Sequence, residues 1–296
     1  MKKNSAFSTI ILIIVLLIGL SLLLYPTFSE WYNERFQARA IDTYSQQIAH
    51  IDNDRYREIW DSAKAYNQTL LDRKNNFLLS DEQKEAYNRE LNIGDGIMGY
   101  IEIPSINVSL AIYHSTDDSI LQVAIGHLDW TSLPTGGEST HCVLSGHRGL
   151  PSARLFTDLD KLKTGDYFVL HILDEELTYE VDQILIVEPE ETDDLLIQPG
   201  KDLCTLVTCT PYGVNSHRLL VRGHRTENLK EAVVVRVTAD AVLVEKIVVA
   251  PFILAVFMIL MVPLLLIPRP GKRRNKKEAN IKPEQPPILP DDGTLS

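Results

Sequence analysis

Leu203-Cys-Thr-Leu-Val-Thr-Cys209-Thr-Pro-Tyr-Gly-Val-Asn-Ser-His-Arg218-Leu-Leu-Val-Arg-Gly-His-Arg225 reads as strand, turn, strand. Leu203 to Thr208 is apolar and β-branched and carries no helix cap. Pro211, Tyr212, Gly213 and Asn215 are turn formers, and Arg218 to Arg222 is a second apolar run closed by Gly223. Cys209 therefore stands where a buried strand gives way to a loop, a place that holds a side chain rigidly and leaves it open. Arg218 opens the returning strand, so a hairpin would bring a guanidinium beside the thiol. Free cysteine is ordinarily small core filler, but a strand-end thiol with a basic partner argues for chemistry.

The same plan occurs upstream. His141 to Ser145 is an apolar strand that ends in Gly146-His147-Arg148-Gly149. Glycines on both sides of His147 let the backbone turn tightly and expose the imidazole. Cys142 lies five positions before His147, and Cys204 lies five before Cys209. If these strands are neighbours, His147 and Cys209 share one end of the sheet. The other histidines (His50, His114, His127, His141, His171, His217 and His224) lack this setting.

Other short strands are expected at Gly99–Pro104, Val108–Tyr113, Tyr167–Leu173 and Leu177–Val187, the last two paired around Asp174-Glu175-Glu176. One or two helical turns are expected at Ile120–Gly126. Short strands at regular spacing with Gly/Pro turns predict a mainly β domain, an antiparallel-rich barrel or sandwich, over 98–228.

Two apolar segments flank the middle of the chain. Residues 7–25, from Phe7 to Tyr25, carry no charge, follow Lys2 and Lys3, and stop at Pro26. About 20 apolar residues cross a bilayer as a helix, and no small-residue cleavage site follows, so an uncleaved anchor is expected rather than a signal peptide. Residues 247–267 form a second run, followed at once by the basic cluster from Arg269 to Lys277. Lys and Arg gather on the cytoplasmic side. The expected layout has residues 1–6 and a disordered, proline-rich tail (268–296) in the cytoplasm. The middle of the chain is expected outside the cell membrane, held by two transmembrane helices, with 229–246 as a membrane-proximal segment.

The 296-residue chain has 29 basic and 40 acidic residues. Removing the 9 basic and 4 acidic residues at the two ends leaves 20 and 36 between, a net of −16. Such a surface repels phosphate backbones, and nucleic-acid binding is not expected. No His-x-x-x-His or Cys-x-x-Cys occurs, so no metal or other cofactor is expected. The acidic stretch Glu188–Asp194 matches no defined Ca²⁺ loop and reads as a solvated surface. Residues 26–97 are polar and helical, with Trp31, Tyr32, Phe36, Ile41, Tyr44, Ile48 and Ile51 at helical spacing. A loop is expected around Asn75, with an N-cap at Asp81. This region reads as a spacer before the main domain, with a cover over the site as the alternative. The three cysteines are odd in number, and Cys142 and Cys204 are expected to be reduced core thiols.

A cysteine, a histidine and an arginine suit acyl transfer. A nearby cation lowers a thiol's pKa and makes it nucleophilic. A fixed guanidinium can stabilise the oxyanion, and an imidazole can protonate an amine leaving group.

Thr205-Leu-Val-Thr-Cys209 with Arg218, and Gly146-His147-Arg-Gly upstream, resemble the sortases of Gram-positive bacteria, most closely the pilin-polymerising class C. Gly99-Tyr-Ile-Glu-Ile-Pro104, Gly126-His-Leu-Asp-Trp-Thr-Ser-Leu-Pro134 and the whole run from Thr208 to Arg218 match in order and spacing. The resemblance implies an eight-stranded sortase β-barrel and a cysteine transpeptidase with His147, Cys209 and Arg218 as catalytic residues. Its implied partners are proteins with LPxTG-like sorting signals, cut between Thr and Gly, and the lysine amine of a pilin. It also implies a lid carrying an Asp-Pro-aromatic motif, and no such tripeptide occurs between Ser29 and Gly99. Competing readings are a housekeeping sortase that anchors surface proteins to peptidoglycan, and a membrane-tethered interaction module without activity. An L,D-transpeptidase would place the arginine two residues after the cysteine, not nine.

Overall fold

The computed structural model describes residues 3–71, 78–94 and 96–228. Eight strands form a closed barrel in the order β1-β2-β3-β4-β7-β8-β6-β5. They are β1 (Ile97–Ile103), β2 (Val108–His114), β3 (Ile125–His127), β4 (Thr140–Ser145), β5 (Tyr167–Ile172), β6 (Glu175–Val187), β7 (Asp202–Thr210) and β8 (His217–Arg225). The expected strands are all present. A strand not foreseen, β3, takes up the end of the stretch read as helical turns, of which only Asp118–Leu121 (α4) is helical. Three residues are too few to show a period of two.

Among the described residues closure gives every strand a neighbour on each side. The seam is the β1–β5 pair, Tyr100 opposite His171 and Ile101 opposite Leu170. Most pairs are antiparallel, but β2–β3 and β4–β7 are parallel. Met98, Ile101, Ile103, Ile112, Phe168 and Leu206 are fully buried in the main core. β7 is covered on both faces: Val207 packs with Val143, Leu195 and Leu220 in a second cluster.

Three helices precede the barrel: α1 (Lys3–Ala49), α2 (Asn53–Leu71) and α3 (Asp81–Arg89). The expected stop at Pro26 does not occur; α1 runs through it as one 47-residue helix. A proline costs its own N–H bond and bends a helix, yet long flanking turns carry the helix past it. The apolar part of α1 is long enough to span a membrane, and its apolar window is unburied. It is the candidate membrane helix found among the described residues. The second predicted span (247–267), the segment 229–246 and the tail 268–296 lie outside those residues, as do residues 72–77 of the expected loop.

The polar half of α1 lies along the barrel. Buried Gln37 donates to the Val123 carbonyl at 2.5 Å and accepts from the Ala111 amide at 2.9 Å. Tyr44, fully buried, donates to the Met98 carbonyl (2.7 Å) and accepts from the Leu173 amide (2.8 Å). α2 presents Ile59, Ala63, Tyr66, Asn67 and Leu70, one helical stripe, to the main core, and Leu79, Tyr87 and Leu91 join them. The spacer reading is thus corrected: these helices share the barrel's core. Their mean polarity concealed it, because one stripe in four suffices to bury a helix. The α3 cap is Ser80, not Asp81: Ser80 accepts from the Gln83 amide while the Gln83 side chain accepts from the Ser80 amide.

Candidate active site

The parallel β4–β7 ladder sets Cys142 opposite Cys204 and Ser145 opposite Val207. Past its last residue the pairing continues: the Gly146 amide donates to the Val207 carbonyl (3.1 Å), and the Thr208 hydroxyl donates to the Gly146 carbonyl (2.8 Å). His147 therefore leaves β4 at the level of Cys209, the next-to-last residue of β7. On the other side of β7, antiparallel β8 places Arg218 directly opposite Cys209 and His217 opposite Thr210. Directly opposed residues in an antiparallel pair have Cβ atoms about 4.5–5.5 Å apart. The register brings three residues separated by up to 71 positions to one end of the barrel.

Burial distinguishes the thiols. Cys142 and Cys204 are buried and Cys209 is partly exposed; all three are free. Cys142 is hydrogen-bonded to Cys204 and to the His127 ring. Burial, and then its bond to Cys142, pushes the Cys204 thiol well up. The pair is shut inside the barrel, and Cys209 is the thiol a substrate can reach.

The histidines separate in the same way. His141 is fully buried, bonded to the Leu196 carbonyl and Thr205 hydroxyl, and burial holds its pKa down at about 4. His114, bonded to the Gly96 and Glu90 carbonyls, is lowered by burial as well. His127 bonds Tyr87 and Ser132. His171, His217 and His224 face carboxylates. His147 is half-buried, and among the described residues its ring has neither hydrogen bond nor ion pair. It is free to serve a substrate.

Arg218 donates to the carbonyls of Asn215 (3.3 Å) and His217 (3.1 Å). Among the described residues no carboxylate neutralises it, so its charge is available to a developing oxyanion. The acidic loop that follows β6 stands beside it; there Glu188 pairs with His217 at 3.2 Å, Glu191 accepts from the Glu188 amide at 3.2 Å, Glu190 and Asp193 are exposed and Asp194 is half-buried. Among the described residues no group of three or more His, Cys, Asp or Glu is placed to hold a metal ion.

Arg148, Tyr212, Gly146 and Thr208 support the site through contacts that the sequence alone does not give. Arg148 joins the two halves of the site. It donates to the Thr210 hydroxyl (3.3 Å) and to Asp160 (2.5 Å), and its guanidinium lies 6.0 Å from the Tyr212 ring centroid. Tyr212 in turn covers Gly149, whose φ is +77° and where a Cβ would come within 2.8 Å of the ring. Gly146 is equally constrained, since a Cβ there would meet Phe156 at 2.7 Å and Ile125 at 2.9 Å. Thr208 supplies the hydroxyl described above. All lie within the quoted motifs, where the two glycines are read as a tight turn, but the partners of Arg148, Tyr212 and Thr208 are distant in sequence and no local pattern identifies them.

Comparison with known proteins agrees with this fold. A family model described as a sortase domain matches residues 101–226. Sortase D of Bacillus subtilis is 33% identical over 147 residues, which is 49% of this chain and 70% of that protein. Among solved structures, sortase C1 from Streptococcus agalactiae is 53% identical with a TM-score of 0.63, covering 64% of this chain and all of that one. A sortase C from Clostridium perfringens, solved with the C-terminal cell wall sorting motif, is 46% identical with a TM-score of 0.58 over the same shares.

Proposed function

This chain belongs to the sortase family, and from that premise we propose that it is a class C cysteine transpeptidase that polymerises pilin subunits. The structural neighbours are class C sortases, and the sorting motif bound by one of them supports an LPxTG-like signal as the donor here. The observation that carries the reading is the convergence of β4, β7 and β8, which puts Cys209 between the level of His147 and the facing Arg218.

The steps follow from the side chains. The Cys209 thiolate attacks the threonine carbonyl carbon of the signal, and the carbonyl oxygen takes up negative charge. Arg218, a fixed fork of donors, stabilises that oxygen. The C–N bond to glycine breaks, His147 gives the leaving amine its proton, and a thioester remains on Cys209. A neutral pilin lysine amine then attacks the thioester, His147 accepts its proton, and formation of the isopeptide expels the Cys209 thiolate. The His147 chain is held in place through Thr208 and Arg148.

The test uses the protein with a sorting-signal peptide and candidate shaft proteins. Wild type is expected to give a thioester adduct by mass spectrometry and an SDS-resistant ladder. Cys209→Ala is expected to give neither while keeping its melting temperature. Adduct or polymer formed by Cys209→Ala would remove Cys209 from the reaction. A thioester that passes to a peptidoglycan amine and never to a pilin would favour the wall-anchoring reading.

A further inference from the structure

We propose that the Cys209 end of the barrel rests on the lipid surface. Tyr212 and Val214 of the β7–β8 turn, with Phe28, Trp31 and Tyr32 of α1, form the contact. This goes beyond the catalytic reading and rests on the apolar part of α1 as a membrane anchor.

The direction of α1 fixes which end of the barrel meets the membrane. Near the anchor, the Ser29 hydroxyl donates to the Ser152 carbonyl at 3.2 Å. Ser152 lies in the segment that follows His147, at the Cys209 end. Fifteen residues further along α1, Tyr44 bonds the Leu173 amide and the Met98 carbonyl. Leu173 joins β5 to β6 at the opposite end: β6 begins there and reaches the active end at Val187, opposite Arg218. Fifteen helical residues rise about 22 Å, close to the roughly 25–30 Å of a strand of eight or nine residues. α1 therefore runs the height of the barrel from the active end to the far end. The apolar run closes at Tyr25, only about 6 Å of helix before Ser29. Held at both ends, the barrel keeps its active end against the bilayer.

The surface agrees independently. In the barrel domain, among the described residues, the exposed large hydrophobic side chains are Ile184, Ile186, Tyr212 and Val214. Three of them lie at or next to the active end; Tyr212 is 61% and Val214 70% exposed. The first turns of α1 after the apolar run expose Phe28, Trp31 and Tyr32. Trp and Tyr favour the headgroup level of a membrane. Tyr212 is held in place by Gly149 and Arg148, so the turn presents a fixed apolar tip rather than a loose loop. The occupant is lipid, not another protein, because the same helix enters the membrane a single turn away.

The full chain, in a Cys209→Ala background, is reconstituted in phosphatidylcholine–phosphatidylglycerol vesicles. Val214→Cys is labelled with an environment-sensitive fluorophore, and Asp174→Cys at the far end is its control. Cys142 and Cys204 are buried and stay unlabelled. Contact at headgroup depth, about 5–10 Å into the interface, is expected to quench most of the position-214 emission with shallow nitroxide lipids. The position-174 emission should stay unchanged. Equal quenching at both positions, or none at 214 in protein that floats with vesicles, overturns the proposal. Protein that does not float overturns the anchor reading and this proposal with it. If Val214→Cys fails to fold, Ile186→Cys, an exposed barrel residue beside the active end, is labelled instead and the same quenching is required. A wild-type chain that makes no thioester while position 214 is quenched overturns the catalytic reading alone.

Discussion

Replacing Arg218 with lysine keeps the charge and removes the fork. The arginine faces Cys209 across the β7–β8 ladder and is steadied by the Asn215 and His217 carbonyls, with no carboxylate to neutralise it among the described residues. An ammonium is a point charge on a flexible stem; it cannot bond these carbonyls and also present a fixed donor to the oxyanion. Losing one preorganised oxyanion donor costs about 2.7–4 kcal/mol of barrier, which at about 1.4 kcal/mol per decade is a loss of roughly 100- to 1,000-fold. Arg218 is half-buried at the barrel rim, so the fold should lose only about 0.5 kcal/mol. The assay is single-turnover thioester formation from a sorting-signal peptide, followed by mass spectrometry, with alkylation of Cys209 by iodoacetamide as the control for an intact thiol. Arg218→Lys is expected to acylate some 100-fold slower or worse, with peptide affinity changed little and alkylation still complete. Acylation at the wild-type rate would refute the oxyanion role. So would a slow mutant whose melting temperature had fallen enough to explain the loss.

Other perturbations test the frame around the site. Asn67→Ala leaves the buried Leu133 amide without a partner, while the Leu133 carbonyl keeps the Thr135 amide and the Thr135 hydroxyl keeps the Gly136 carbonyl, at about 1–3 kcal/mol for the one group left unsatisfied. The urea midpoint should fall clearly, and an unchanged midpoint would mean that α2 does not stabilise the barrel. Gly146→Ala forces a methyl onto Phe156 and Ile125; overpacking of this kind costs about 1–3 kcal/mol. A displaced His147 should slow transfer about 100-fold if it moves by ~1 Å, measured as resolution of the preformed thioester by an amine. Stability should also depend on pH through His141. Its folded pKa of about 4 lies below the usual value near 6.5, so between the two the unfolded chain binds more protons. Its contribution, on the order of 3 kcal/mol, is complete above pH 6.5 and lost as the pH falls toward 4. Urea midpoints between pH 7 and 4 should fall along this range, and a flat profile would place His141 in a solvated setting instead.

Local pattern determined much of this protein. The alternation and turn chemistry from Leu203 to Arg225 marked β7, its turn and β8. The glycines around His147 marked the end of β4. The quoted motifs carried the family resemblance. These features depend on neighbours within a few positions, where side-chain period and backbone preference act directly. The five-residue spacing shared by Cys142–His147 and Cys204–Cys209 needed one further condition, adjacency of their strands, and that is a long-range pairing.

Only the tertiary structure decided that β4 and β7 lie parallel in a register that levels His147 with Cys209. It also decided that α1 continues through Pro26 along the whole barrel, and that α2 and α3 share its core. Arg148 became a link between the two halves of the site only when Thr210 and Tyr212 were brought to it. Each of these results joins segments tens of residues apart. No short window of sequence holds both partners, and the free energy that selects such a pairing comes from closing one barrel around one core.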